Sequence, residues 1–510
     1  MSAPPITILK AIADKNLFAR RWFRNPESWS AWLAFLAALF CLPMTDDQLA
    51  IYQQCTGREA APSIVHKAAW LVCGRRAGKS FILALIAVFL ATFYDYTKYI
   101  VPGERGTILI IASDRRQART IFRYIRGLLH GVPMLRHMIE RETADAFDLN
   151  NNISIEIQAA SFRSVRGYTV VAALLDEIAT WRSDDSANPD REILAAIKPA
   201  MATIPNAMLL CASSPYAKRG VLWDAYRKHF GKDSSTLVWK APTRTMNPSV
   251  PQSVIDDALE KDPAEASAEY LAEFRSDVEA LCSPEVVAAA TIAGRTVLPR
   301  IEGVGYVAFV DPSGGSSDSM TLSIAHMEGN RAILDLVVER RPPFSPDSVT
   351  KEFADTIRSY GIASCVGDRY GGLWPRERFA QYGVDYQTSP QTKSDIYLAL
   401  LPLLNSGRVE LLDSTRLAAQ LCALERRTAR GGKDTIDHSP GAHDDLINAA
   451  AGAIVAASQR AIHHIENFHV ISIGKDGSVS GMPETVDQRS TTQKFYDYYS
   501  GGGPMWWGPC

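Results

Sequence analysis

The stretch Leu71-Val72-Cys73-Gly74-Arg75-Arg76-Ala77-Gly78-Lys79-Ser80 decides the fold. An apolar run, Ala68 to Val72, leads into it, and a long apolar helix pattern, Phe81 to Phe93, leads out. Strand, glycine turn and helix in that order are the layout of a phosphate-binding loop. Backbone N–H groups at the N-terminus of the new helix point at an anion, and the helix dipole adds to the attraction. Gly74, Arg75, Arg76, Ala77, Gly78, Lys79 and Ser80 therefore read as a nucleotide cradle. Lys79 would neutralise the β- and γ-phosphates, and the Ser80 hydroxyl would ligate Mg²⁺. Arg75 and Arg76 place two guanidiniums where phosphoryl charge develops, so Arg75 reads as a catalytic arginine supplied in cis. The strict pattern G-x-x-x-x-G-K-[ST] is not met: its leading glycine falls on Cys73, and Gly74 comes one position later.

Two further stretches support the reading. Tyr168 to Leu175 is a continuous apolar run ending in Asp176-Glu177. A strand ending in two acids can hold the Mg²⁺ shell through Asp176 and activate the attacking water through Glu177. Ala207 to Ala212 is another buried-strand pattern, ending in Ser213-Ser214-Pro215, where a hydroxyl pair could sense the γ-phosphate. Upstream, Trp29 to Leu42 reads as one apolar helix stopped by Pro43, and Asp46-Asp47-Gln48 as the cap of the next. Gln48, Gln53 or Gln54 could hydrogen-bond an adenine there, with Tyr52 stacked on it. Thr107 to Ala112 is a buried strand, Ala118 to His130 a helix, and Phe147 to Ile155 a hairpin turning on asparagines. Arg163 and Arg166 are candidates for DNA or for a neighbouring subunit's nucleotide.

The chain has 510 residues, which predicts about two to four domains. Its 46% hydrophobic and 22% charged residues are those of an ordinary globular protein. A formal net charge of −2 gives no global basic signal, so any nucleic-acid surface must be a local patch. The 8 cysteines form no C-x-x-C pair, which argues against a zinc site or a disulfide scaffold. The apolar stretches are too short to span a bilayer, so no membrane is expected.

Strand–helix alternation lapses near Asp277 and restarts at 301. The expected organisation is a helical lead-in over 1–60, a P-loop ATPase domain over 61–276, and a linker over 277–300. A second α/β domain over 301–460 and a flexible tail over 461–510 complete it. In the second domain, Gly305 to Asp311 is an apolar strand ending in an acid. Met320 to His326 and Ala332 to Val338 continue a meander, Ser348 to Tyr360 reads as a helix, and Ala363 to Asp368 is a fourth strand ending in an acid. Helices follow at Ile396 to Asn405 and Ser414 to Arg427, and His443-Asp444-Asp445 opens a helix from Leu446 to Ala457. That order is the one of an RNase H-like fold. Asp311, Asp368 and one late helical aspartate could converge on two Mg²⁺ or Mn²⁺ ions and clamp a phosphodiester. Adjacent helical residues point about 100° apart. Asp445 is favoured over Asp444, because it shares a face with the small Ala449. Lys393 and Arg369 lie close to this site in the pattern and could contact phosphate; His438 and His443 read as surface residues.

A P-loop unit followed by an RNase H-like unit resembles the large terminase subunit of tailed bacteriophages, over roughly residues 30–460. The motifs that carry the resemblance are Cys73 to Ser80 with its internal Arg75, Leu174 to Glu177, Cys211 to Pro215, Val310-Asp311-Pro312, Gly367-Asp368 and His443-Asp444-Asp445, with Arg166-Gly167 also similar. The resemblance implies an ATPase that drives double-stranded DNA into a procapsid and a metal-dependent endonuclease that cuts concatemers. It implies a homo-oligomeric ring docked on the portal protein, a small terminase subunit as partner, and residence in the host bacterial cytoplasm and transiently on the procapsid, not in the mature virion. The glycine- and tryptophan-rich tail is expected to contact the portal. Competing readings are a helicase-like DNA-dependent ATPase with a non-cleaving RNase H-like domain, and a structural protein with a decayed ATP site. The intact Lys79, Asp176, Glu177 and ordered aspartates speak against both.

Overall fold

The computed structural model describes residues 4–160, 167–181, 186, 188–368, 373–428, 434–439 and 442–466, with two short strand segments at 472–473 and 479–480. Arg163, Arg166 and Arg369, and most of the tail, lie outside the described residues. The chain forms two compact units that meet in sequence at residues 279 and 280.

The first unit is built on an eight-stranded sheet. Its spatial order is Ile139–Glu142, Ala146–Leu149, Ile153–Ala159, Gly106–Ala112, Thr169–Asp176, Met208–Ser213, Ala68–Cys73 and Thr236–Ala241. The six strands from Ile153–Ala159 onward run parallel, and the edge hairpin is antiparallel. Parallel strands are covered on both faces, which is why they read as unbroken apolar runs. Side chains alternate between two cores. Ala69, Leu71 and Cys73 enter one, and Trp70 and Val72 the other. The helix Lys79–Phe93 is apolar on nearly every side because it is packed between the sheet and the helix Arg115–Gly131, with Trp29 and Phe40 of the lead-in set against its Phe81 and Phe89.

The second unit carries a six-stranded sheet ordered Asp385–Thr388, Ser364–Gly367, Tyr306–Asp311, Met320–Glu328, Arg331–Arg340 and Val409–Glu410. The three strands from Tyr306 to Arg340 form an antiparallel meander, and the remaining pairs are parallel. This is an RNase H-like arrangement, so the chain is a P-loop α/β unit followed by an RNase H-like α/β unit. The helix Asp445–Glu466 packs on the meander. Close approach is possible because Gly452 faces Phe309: a Cβ there would lie 2.3 Å from the ring. Gly452→Val should lower stability by about 1–3 kcal/mol, read by chemical denaturation, since neither ring nor helix can yield without moving the strand.

Several expected boundaries shift. The apolar helix begins at Ser30 and ends at Leu39, three residues before the point where Pro43 was expected to stop it. The cap of the next helix is Thr45, not Asp46 to Gln48. The predicted helix from Ser414 to Arg427 stops at Ala423, and Leu424–Thr428 is a strand. With Leu424 its one apolar residue, the segment carries no period of its own, and only the partner strands decide. The short strands Asp385–Thr388 and Val409–Glu410 were not legible in the sequence.

Candidate functional sites

The P-loop turn is held from outside. Gly74 sits where the backbone meets Thr243 and Tyr270: a Cβ would fall 2.2 Å from Thr243 Oγ1 and 2.8 Å from the Tyr270 carbonyl oxygen. The late glycine of the motif is therefore the one this loop needs. Thr243 Oγ1 donates to the Arg75 carbonyl and Asn247 Nδ2 to the Arg76 carbonyl, both at 2.8 Å. Trp32 Nε1 donates to the Ala77 carbonyl at 2.8 Å. Gly78 enters the helix at φ 101°, a conformation that L side chains rarely adopt. Gly74→Ala should cost more than tenfold in nucleotide affinity, measured with a fluorescent ATP analogue, because the clash lies against backbone that cannot rotate away.

Lys79 is buried, 5% exposed, and makes four contacts. Its Nζ donates to the carbonyls of Cys73 (3.0 Å) and Gly74 (3.2 Å) and to Ser214 Oγ (3.1 Å), and stands 3.3 Å from Glu177 Oε1. Glu177 Oε2 accepts from Ser213 Oγ at 3.0 Å and from the Ser214 N–H at 3.1 Å. The sheet order explains this network. The strand Met208–Ser213 lies between the P-loop strand and the strand that ends in Asp176, so its terminal serines fall between Lys79 and Glu177. Ser80 Oγ donates to Asp176 Oδ2 at 3.1 Å. Burial first, and then the neighbouring Glu177 charge, push the Asp176 carboxyl up to about 7. Its Oδ1 is buried with no hydrogen-bond partner. A hydroxyl and a carboxylate with an orphaned oxygen are hard donors that fit Mg²⁺.

Three expectations at this site change. Tyr52 cannot stack on a base: it is fully buried, 6.5 Å from the Trp239 ring centroid. Gln48 closes a capping box, its Oε1 accepting from the Thr45 N–H at 3.1 Å, and Gln53 donates to the Glu59 carbonyl at 2.6 Å. Arg75, 62% exposed, is paired with Glu269 at 2.7 Å, so a role in catalysis requires it to leave that partner. Arg76 is exposed at φ 64°. Trp32, Thr243, Asn247 and Glu269 lie far from the motif in sequence, and no local signal points to them.

In the second unit, parallel register aligns Val310 with Gly367, so Asp311 and Asp368 leave neighbouring strands side by side. Asn448 joins them: its Nδ2 donates to Asp311 Oδ2 at 2.8 Å and to Asp368 Oδ2 at 3.2 Å. The Asn448 N–H in turn bonds the Asp444 carbonyl at 2.8 Å. Gln420 Oε1 accepts the N–H groups of Leu446 and Ile447, and Thr321 Oγ1 donates to the Asp445 carbonyl at 2.7 Å, which fixes the helix start against the meander. Asp444 is committed elsewhere. Lys393 Nζ lies 2.8 Å from its Oδ2, and the buried Tyr397 hydroxyl donates to the same oxygen at 2.9 Å. That leaves Asp445, three residues before Asn448 and so on the same helix face. Its Oδ2 is buried and without a partner, as is Asn448 Oδ1.

Burial pushes the Asp311 carboxyl well above the usual range against the pull of the Asn448 N–H, with the charges of Asp445, Asp368 and Asp444 adding to it. Burial and then Asp444 raise Asp445 as well. The three-carboxylate convergence expected from the sequence is only partly present. Among the described residues no three His, Cys, Asp or Glu side chains gather into a group that could hold a metal ion. Two carboxylates share an amide donor, and the third stands one helical turn before that amide. Buried like charges repel, and an N–H between two of them relieves this. Asp311, Asp368 and Asp445 supply oxygen donors of the kind that suits Mg²⁺ or Mn²⁺, but holding an ion requires them to stand closer together than they do here. His438 is half-buried, its Nδ1 3.0 Å from the Ser439 carbonyl, and His443 is exposed, as its surface reading expected.

Fold and sites together define a two-unit α/β protein with a nucleotide-type loop in one unit and paired strand-end acids in the other. Solved structures similar to the chain include large terminases. One is that of bacteriophage HK97, 17% identical, covering 77% of this chain and 91% of that one with a TM-score of 0.35. Another is the large terminase of a thermophilic bacteriophage, 10% identical, covering 78% and 96% with a TM-score of 0.35. A third is the large terminase nuclease of the thermophilic phage G20c, 16% identical, covering 33% of this chain and 94% of that one with a TM-score of 0.28. No family model matches the chain, and no curated protein matches it. Among the described residues no helix is long and apolar enough to cross a membrane.

Proposed function

We propose that this chain is a DNA-packaging ATPase and nuclease of the large-terminase kind. ATP hydrolysis in the first unit would drive double-stranded DNA, and the second unit would cut it. One observation carries the reading: a single chain holds both the Lys79–Glu177–Ser213–Ser214 network beside Ser80 and Asp176, and an acid pair on adjacent parallel strands.

Lys79 and the loop N–H groups bind the phosphates of ATP, and Glu177 orients and deprotonates the attacking water. Ser213 and Ser214 hold Glu177, and Lys79 pairs with it directly, so the loss of the γ-phosphate contact at Lys79 reaches the carboxylate without an intermediary. Ser80 and Asp176 would hold Mg²⁺, which neutralises phosphate charge. Asp311, Asp368 and Asp445, drawn closer together than they stand here, would hold two Mg²⁺ or Mn²⁺, and the ions would supply Lewis-acid stabilisation at the phosphodiester. Asn448 positions the first two carboxylates, and Lys393 keeps Asp444 paired. The partners that fit this role are double-stranded DNA, a portal protein, a small terminase subunit and further copies in a ring, met in the host cytoplasm and on the procapsid.

The test is direct. Purified protein is incubated with supercoiled plasmid and Mn²⁺, and separately with ATP and Mg²⁺. Nicking and phosphate release are expected. Phosphate release without any cut would favour the helicase-like reading, and neither activity would end both.

A further inference from the structure

We propose that the arginine stripe on the helix Arg115–Gly131 is a surface for the phosphates of double-stranded DNA. The inference rests on the DNA-translocating reading above and names the surface that reading needs. The helix contains Arg115, Arg116, Arg119, Arg123 and Arg126 and no acid. Arg116, Arg119, Arg123 and Arg126 fall at spacings of three, four and three, which is one face of a helix. That face is distinct from the buried stripe through Ala118, Ile121, Phe122, Ile125, Leu128 and Leu129. All five arginines are exposed. Arg126 pairs with Glu142 at 2.9 Å. Among the described residues, Arg115, Arg116, Arg119 and Arg123 have no acidic partner within ion-pair distance.

The placement works against the isolated fold. Four arginine pairs stand three or four apart, spacings at which like charges on a helix repel and destabilise it. Arg115 and Arg116 occupy the first turn, where the helix dipole disfavours cations, and that turn holds no acid. A helix serving solubility alone would interleave glutamates at these spacings. The acids that touch this helix are engaged: Asp114 caps Gln117 N–H at 2.8 Å, and Glu142 holds Arg126 and His130. The positive face also extends beyond the helix. Arg20, Arg21 and Arg24 of the lead-in are exposed, and Arg21 Nη1 lies 3.2 Å from the Cβ position at Gly131. This asymmetry stands out in a chain of net charge −2.

Dimensions match a duplex. Ten residues from Arg116 to Arg126 span about 15 Å. A B-form strand carries one phosphate per about 3.4 Å of axis, so four or five phosphates lie over that length. Arginine suits the task because its planar fork donates to phosphate in pairs. The helix also begins at the end of the sheet where Asp176 closes its strand, since Gly106–Ala112 and Thr169–Asp176 are parallel neighbours. DNA held on the stripe would therefore start next to the hydrolysis site.

The experiment uses the full chain, a fluorescein-labelled 30-base-pair duplex, EDTA to prevent cutting, and anisotropy at a series of NaCl concentrations. R116A/R119A/R123A is compared with the wild type and with R116K/R119K/R123K. The alanine variant should bind at least about tenfold more weakly at 0.1 M NaCl, with a log K against log salt slope smaller by about 2–3. The lysine variant should keep most of the slope. Melting temperature should be unchanged or higher, because repulsion has been removed, and ATP hydrolysis without DNA should be unchanged. Should the triple variant melt early, the single substitutions decide, each lowering the slope by about 0.9. Unchanged affinity and slope in the alanine variant, with a wild type that binds duplex and hydrolyses ATP, overturns the stripe and leaves the packaging reading standing. A wild type that neither binds duplex nor hydrolyses ATP overturns the packaging reading itself.

Discussion

Lys79→Ala abolishes ATP hydrolysis, by a factor of about 10²–10³ or more, and leaves Mn²⁺-dependent plasmid nicking at its wild-type rate. The size follows from what the side chain touches. Lys79 is the cation among two backbone carbonyls, Ser214 Oγ and the Glu177 carboxylate. Removing it takes away the charge that would meet the β- and γ-phosphates and strips Glu177 of its counter-charge at the same time. The two losses act on one transition state, so they are not separable by adding single substitutions. Ser213→Ala offers a milder comparison. It removes one donor to Glu177 while the Ser214 N–H remains, so hydrolysis should fall by less than the lysine variant shows. Phosphate release and plasmid topology read from one preparation decide the matter. Loss of both activities in a folded Lys79→Ala protein would refute two independent engines.

Asp311→Asn should do the reverse and do one thing more: nicking falls about 10³-fold or further, ATP hydrolysis is unchanged, and thermal stability rises by about a few degrees. Activity and stability part because Asp311 is poorly suited to its surroundings. Burial holds its carboxyl far above the ordinary range, and the charges of Asp445, Asp368 and Asp444 reinforce that. An amide of the same shape removes a desolvated charge, and Asn448 can still meet it by turning its own amide. A catalytic carboxylate is expected to cost the fold something, whereas a structural cap is expected to support it. A variant that loses stability would mark Asp311 as structural and remove it from the proposed metal site. Differential scanning fluorimetry beside the plasmid assay gives both readouts.

The legible part of this protein lies in local patterns. Cys73 to Ser80, Leu174 to Glu177 and the apolar strands could be read because each is a short run whose burial period is written in consecutive residues. The order of strands and helices in 301–460 gave the RNase H-like expectation for the same reason. The misreadings share a different cause. Tyr52 looks like a base-stacking ring in sequence but fills a core, while Gln48 spends its Oε1 on a capping box, and the aromatic or polar character of a residue does not say which side it faces. Leu424–Thr428 joined a strand because a partner was there to pair with it.

Residue order alone determined the two α/β units, the phosphate loop, and which aspartates end strands, since these follow from side-chain period and from glycine where the backbone must turn tightly. Tertiary structure alone decided that Gly74 must be bare against Thr243, that Ser213 and Ser214 stand between Lys79 and Glu177, and that Asn448 links Asp311 to Asp368 while Lys393 takes Asp444 away. Those contacts join residues from 36 to 169 positions apart. Only the register of neighbouring strands and the packing of helices upon them set such distances, and no nearest-neighbour pattern in the chain records them.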